Sequence, residues 1–257
     1  MGARLPVFPL GTVLFPGLVL PLHIFEARYL DLMRHLRGLP EGTPREFGVV
    51  AIRSGGSAAV ATRPDPESRP DQESRAAQES RPEQPELTDR RPDGSPVTLH
   101  DVGCTAELRQ VTELPDGRLD VVTVGRRRFR IAGVEEGPTP YLTAEVEWLP
   151  EPVGQEQLAD LLAPRVLAVF RRYLTLVRDD PEEISEQMPD DPTVLSHLVA
   201  ATAALTLTDR QRLLATPDTA GRLRAELGLL NREAALLRQV RAVPVPLAEL
   251  AVPASPN

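Results

Sequence analysis

The chain has 257 residues, 41% of them hydrophobic, enough for one or two domains with real cores. Its net charge of −8 opposes non-specific attraction to nucleic acid over the molecule as a whole, and its 29 basic residues are all arginine. Without lysine, the sequence can hold neither a Gly-Lys-Ser/Thr phosphate loop nor a Ser-Lys catalytic dyad.

The opening run from Leu5 to Tyr29 is apolar but carries Pro6, Pro9, Pro16 and Pro21. Each proline lacks an amide donor and fixes φ, so the segment reads as short strands broken at defined corners. The same prolines cut it below the length of a membrane span and deny it a helical signal-peptide core, so a cytoplasmic protein with no membrane contact is expected. Phe25, Tyr29, Leu32, Met33 and Leu36 then recur at helical spacing, predicting a short helix from Glu26 to Leu36 that Gly38 and Pro40 stop.

Residues 53–98 hold no aromatic, seven prolines and a repeated Glu-Ser-Arg beginning at Glu67, Glu73 and Glu79, so this stretch is expected to be a disordered insertion. Lengthening a loop from about six to about 46 residues adds only roughly 2 kcal/mol of closure entropy. From Leu99 the β pattern resumes. Glu107 to Val111 and Leu119 to Val124 flank an Asp116-Gly117 turn and predict a hairpin, and Phe129 to Val134 and Leu142 to Trp148 predict two further strands. Cys104, the one cysteine, cannot form an internal disulfide and is expected to be a small core residue.

After Pro150 and Pro152 the period becomes helical. One apolar face runs from Leu158 to Leu174 with a kink expected at Pro164, and Asp191-Pro192 reads as an N-cap with proline in the first turn. Thr208 with Gln211 reads as a capping box, and a last helix is expected from near Asp218. Four such helices should pack against the β part. The expected division is a β subdomain over 1–150, a helical subdomain over 151–243 and a flexible tail over 244–257.

Several short motifs occur in order: Leu5-Pro6, Pro9-Leu10, Phe15-Pro16-Gly17, Pro21-Leu22-His23, Glu26-Ala27-Arg28-Tyr29, Phe47-Gly48-Val49-Val50, Val102-Gly103-Cys104, Leu114-Pro115-Asp116-Gly117 and Gly125-Arg126-Arg127-Arg128-Phe129. Together they resemble the N-terminal, substrate-binding domain of Lon proteases, and the end of the last helix, Arg222 to Glu233, is similar to the end of the same domain. The resemblance implies an α+β fold: a PUA-like, small, partly closed β-barrel with one early helix, followed by a helical bundle. It covers the recognition part of those proteases and neither their ATPase nor their protease module.

The four histidines stand singly, with no carboxylate or cysteine partners at ligand spacing, so no catalytic residue, metal site or cofactor is expected. His23 suits a structural hydrogen bond, and Glu26 with Arg28 an internal ion pair. The resemblance implies a non-catalytic protein that recognises unfolded or tagged polypeptide, working as an adaptor beside a protease or chaperone machine. Phe15, Leu18, Phe25, Tyr141 and Trp148 are the candidate contacts for such a segment. The alternative is an RNA-binding module using Arg126, Arg127, Arg128 and Arg130, weakened by the scarcity of nearby aromatics on which bases could stack.

Overall fold

The computed structural model describes residues 3–53, 87–90, 96–135, 138–177 and 188–242. Its strands are β1 (Ala3–Leu10), β2 (Val19–Ile24), β3 (Glu46–Ala51), β4 (Thr88–Arg90), β5 (Pro96–Thr98), β6 (Val102–Glu113), β7 (Leu119–Glu135) and β8 (Leu142–Trp148). Its helices are α1 (Ala27–Arg37), α2 (Glu156–Val177), α3 (Pro192–Thr202), α4 (Leu207–Ala215) and α5 (Thr219–Ala242).

Six strands form one mixed sheet in the order β2-β7-β6-β3-β1-β8, in which β1 and β3 run parallel and the other neighbours antiparallel. The second half of β7 also pairs with β8, Phe129 opposite Trp148 and Ile131 opposite Val146. That pairing curls β7, β6, β3, β1 and β8 into a ring, while the first half of β7 leaves it to carry β2. The result is a partly closed sheet rather than a clean barrel.

Alternation along the strands sorts side chains into two cores. Leu5 and Val7 of β1, Val50 of β3, Phe129 and Ile131 of β7, and Ala144 and Val146 of β8 fill one of them. Phe8, Phe47, Val49 and Ala51 belong to the other, with Tyr29, Leu32, Met33 and Leu36 of α1 and the buried face of the C-terminal helices. Phe8 and Tyr29 stack at 3.7 Å between ring centroids. Two glycines make room for Phe129: a Cβ on Gly48 or on Gly103 would lie 2.6 Å from its Cζ.

Three expectations change in the structure. The strands expected at Leu119–Val124 and Phe129–Val134 are one continuous β7, because Gly125 continues the strand and lets the opening loop cross it, Gly17 N–H donating to Gly125 O and Gly125 N–H to Leu18 O, both at 2.8 Å. The far end of the stretch expected to be disordered folds: β4 and β5 pair, and Val97 and Leu99 are buried with Leu87 packed beside them. The rest of that stretch, and most of the expected tail, lie outside the described residues. The helix after Pro189 is capped by Asp191 as expected, its Oδ1 accepting from the Thr193 and Val194 amides. The next helix is capped two residues earlier than expected, by Thr206, whose Oγ1 accepts from the Asp209 amide while donating to the Asp209 carboxylate. Asp209 supplies the returning acid that Thr208 and Gln211 were expected to provide; the Gln211 amide instead reaches Val102 O at 2.8 Å. α2 spans Glu156–Val177 with Pro164, the position of the expected kink, inside it.

Substituting Gly103 tests the packing of Phe129. Gly103→Ala places a methyl 2.5 Å from Val49 O as well as against Phe129, so neither backbone nor ring can yield freely. Overpacking of this kind costs about 1–3 kcal/mol. The urea midpoint is expected to fall, with the slope of the transition unchanged.

Candidate polypeptide-binding surface and the arginine cluster

The five candidate contacts separate in the structure. Phe15 is fully buried and Tyr141 nearly so, both in the larger core, and Tyr141 lies beside the His35 ring. Leu18 is half-buried and packs against the same core. Trp148 is 37% exposed, but the Arg127 guanidinium covers one ring face at 3.9 Å. Phe25 alone stands well clear, 64% exposed, with Val19 at 62% on the adjoining strand. Phe25 follows Ile24, which pairs with Leu119, whereas Trp148 pairs with Phe129. Ten residues of β7, about 33 Å of strand, separate the two positions, so they do not form one groove. Val19 was missed because a lone valine in an apolar run carries no signal of exposure.

The strand between Val19 and Phe25 is an edge. Gly125 N–H donates to Leu18 O, and the register with β7 then turns the backbone groups of Leu20, Leu22 and Ile24 toward β7 and those of Val19, Pro21 and His23 toward the open side. Pro21 sits where a missing amide costs the sheet nothing. His23 is held by Nδ1 to Asp120 Oδ1 at 2.7 Å and by Arg118 Nη1 to Nε2 at 3.2 Å. An arginine must donate, so Nε2 accepts and Nδ1 carries the proton toward the carboxylate. Arg28 bonds Glu26 at 3.1 Å and also Asp89 of β4 at 3.2 Å.

The four arginines do not form one basic surface. Arg128 is buried, correcting its place in the candidate nucleic-acid patch: the end of α4 lies over it. Its Nη1 donates to Leu214 O at 2.7 Å and Thr216 O at 2.6 Å, its Nη2 to Pro150 O at 2.9 Å and Pro217 O at 3.4 Å, and its Nε to Glu151. Arg126 pairs with Glu107 at 2.7 Å, Arg127 reaches Glu46 at 3.9 Å, and Arg130 lies 3.6 Å from Asp101. The exposed members thus face local carboxylates.

Glu151 is shared. His197 Nε2 lies 3.4 Å and Arg222 Nη2 3.5 Å from its Oε2. Burial by itself would raise the Glu151 carboxyl, but His197, Arg128 and the charge on Arg128 together hold it below the usual carboxylate range. Burial keeps His197 below an ordinary histidine, against the opposing pull of Glu151. One helical turn on from Arg222, Glu226 is fully buried and neither carboxyl oxygen has a hydrogen-bond partner among the described residues. Burial pushes that carboxyl well above its normal range. Burial likewise pushes the Cys104 thiol up, leaving it a core residue with little nucleophilic character. Among the described residues no group of three or more His, Cys, Asp or Glu could hold a metal ion, and no helix is long and apolar enough to cross a membrane.

Two measurements follow from the cluster. Arg128→Ala leaves four carbonyls without this donor and Glu151 with His197 and Arg222 alone, and is expected to cost about 3–5 kcal/mol in denaturant unfolding. Arg126→Ala and Arg130→Ala, each removing an exposed pair, should cost at most about 1 kcal/mol. Glu226 binds a proton in the folded protein that the unfolded chain releases near pH 4.5. Its contribution is therefore full below that pH and lost as pH rises toward its folded value. Glu226→Gln keeps the neutral shape, so its stability relative to the parent should grow as pH rises above about 5 and vanish near pH 4; a pH-independent difference would contradict this.

The arrangement offers an exposed strand edge flanked by apolar side chains and a buried polar joint. The family model for the ATP-dependent protease La (LON) substrate-binding domain matches residues 4–232. The chain is 37% identical over 146 residues to Lon protease 1 of Thermus thermophilus, aligning over 55% of this chain and 18% of that one. It is 30% identical over 142 residues to the Lon protease of Escherichia coli K12, 54% of this chain and 18% of the other. It thus spans about a fifth of the length of these curated relatives. Among solved structures, the N-terminal domain of the Mycobacterium avium complex Lon protease superposes with a TM-score of 0.61 at 19% identity, covering 89% of this chain and 98% of that one. A Lon N-terminal domain protein from Xanthomonas campestris gives 0.53 at 21% identity, covering 88% and 98%. These two likenesses speak to the fold; the family assignment rests on the sequence model, which spans both the strand edge and the joint. The chain belongs to the LON substrate-binding domain family.

Proposed function

We propose that this protein recognises exposed apolar segments of unfolded or tagged polypeptides without acting on them chemically, as an adaptor that delivers them to a protease or chaperone machine. The observation that carries this reading is the family match over residues 4–232, with the exposed pair Val19 and Phe25 at an open strand edge supplying a surface for it. An extended client segment can lie along β2, bonding the outward backbone groups of Val19 and His23 while its side chains meet Val19 and Phe25. Pro21 withholds one bond from the middle of that edge, which keeps the pairing short and reversible.

Two or three apolar side chains buried in this way yield roughly 5–8 kcal/mol before association costs. Single-site affinity is accordingly micromolar or weaker, and useful retention requires several copies or a second site on the same client. Fluorescence anisotropy with a labelled, permanently unfolded polypeptide tests the reading. Saturable binding that survives high salt is expected, since apolar burial is little screened, whereas a preference for single-stranded RNA that collapses with salt would overturn it. Combining Val19→Ser with Phe25→Ser should weaken polypeptide binding by about tenfold or more while leaving stability within about 0.5 kcal/mol, because both side chains are largely solvated already.

A further inference from the structure

A groove of about 330 Å³ lies between α4 and α5, and none of its lining residues belongs to β2. Leu213, Ala225 and Leu229 line it with Asp209, whose carboxylate is held by Arg232, and with Arg212 and Arg232. That volume falls at the lower end of the range of clefts that hold ligands, roughly 300–1,000 Å³.

Gly228 opens onto the same groove, and a Cβ built there would meet nothing within 4 Å. It sits in the interior of a 24-residue helix with an ordinary helical backbone, so among the described residues neither a turn nor a close neighbour requires glycine. A mid-helix glycine is destabilising relative to alanine, and its usual compensation is the close approach of something else to the backbone. The two arginines differ. Arg232 is engaged by Asp209 and Glu233, both at 2.9 Å. Arg212, which also lines the groove, is 78% exposed and meets Asp209 only at 3.8 Å, so most of its guanidinium is open to solvent.

We infer that the α4–α5 groove is a second client site, which takes an apolar side chain of an unfolded polypeptide beside Gly228 and pairs a following carboxylate side chain with Arg212. The inference rests on the polypeptide-recognition reading above and adds to it a place and a preference: apolar residues followed by an acidic one. A client that reaches both this groove and the β2 edge is held by two weak contacts, and the second binds at the effective concentration set by the first.

The test uses the full chain and two short fluorescein-labelled peptides that differ only in a Leu-Leu-Glu or Leu-Leu-Lys core between Gly-Ser flanks, with a permanently unfolded polypeptide as reference. The parent protein should bind the glutamate peptide several-fold more tightly than the lysine peptide. Gly228→Leu fills the groove from open space, so it should raise or preserve the melting temperature while weakening the glutamate peptide at least tenfold. Arg212→Glu should invert the preference between the peptides, which loss of fold alone cannot do. If the parent binds the unfolded polypeptide and a folded Gly228→Leu variant binds both probes as the parent does, the groove is overturned and the recognition reading stands. If the parent binds neither peptide nor polypeptide, both fall.

Discussion

One guanidinium joins the two halves of this molecule. Arg128 leaves β7 beside Phe129, whose ring occupies the space left by Gly48 and Gly103, and ends among the carbonyls of Pro150, Leu214, Thr216 and Pro217 with Glu151 beside them. Carbonyls at the end of α4 and in the link to α5 have no amide to bond and cannot be buried unpaired without cost. A planar, permanently charged fork with five donors suits that task; a single ammonium on a flexible stem does not. Sheet closure and helix docking therefore depend on neighbouring residues of the same strand, Phe129 facing one way and Arg128 the other. The charge this brings into the interior is balanced by Glu151, which in turn draws in His197 and Arg222.

What could be read from the sequence was what local chemistry decides. The helix after Glu26, the turn at Asp116-Gly117, the Asp191 cap and the burial of Cys104 each rest on residues within a few positions of one another. What could not be read depends on partners far along the chain. β7 was divided in two because Gly125 looks like a break until the backbone at Phe15 to Leu18 is seen to cross there. β4 and β5 are three residues each, too short for any pattern, and owe their order to Leu87, Val97 and Leu99 reaching a core built by distant strands. The shift from Thr208 to Thr206 reflects two threonines two residues apart, each with an acceptable partner downstream.

The candidate surface was legible in the same uneven way. An aromatic at a corner of an extended segment can point inward or outward, and the motif holds both: Phe15 enters the core while Phe25, just past the end of β2, faces solvent. The arginine run is divided by what covers the strand rather than by parity: Arg126, Arg127 and Arg130 are exposed, and Arg128 is buried where the end of α4 lies over it. Family resemblance gave the architecture but not the side on which each residue lies.

Among the described residues β2 is bonded on one side only, to the half of β7 that leaves the ring. The cycle of β7, β6, β3, β1 and β8 closes without β2, so β2 turns one row of backbone groups outward that a further strand can meet without opening the ring. A further strand laid against that row would lengthen the sheet at β2 and leave every ladder of the ring as it is.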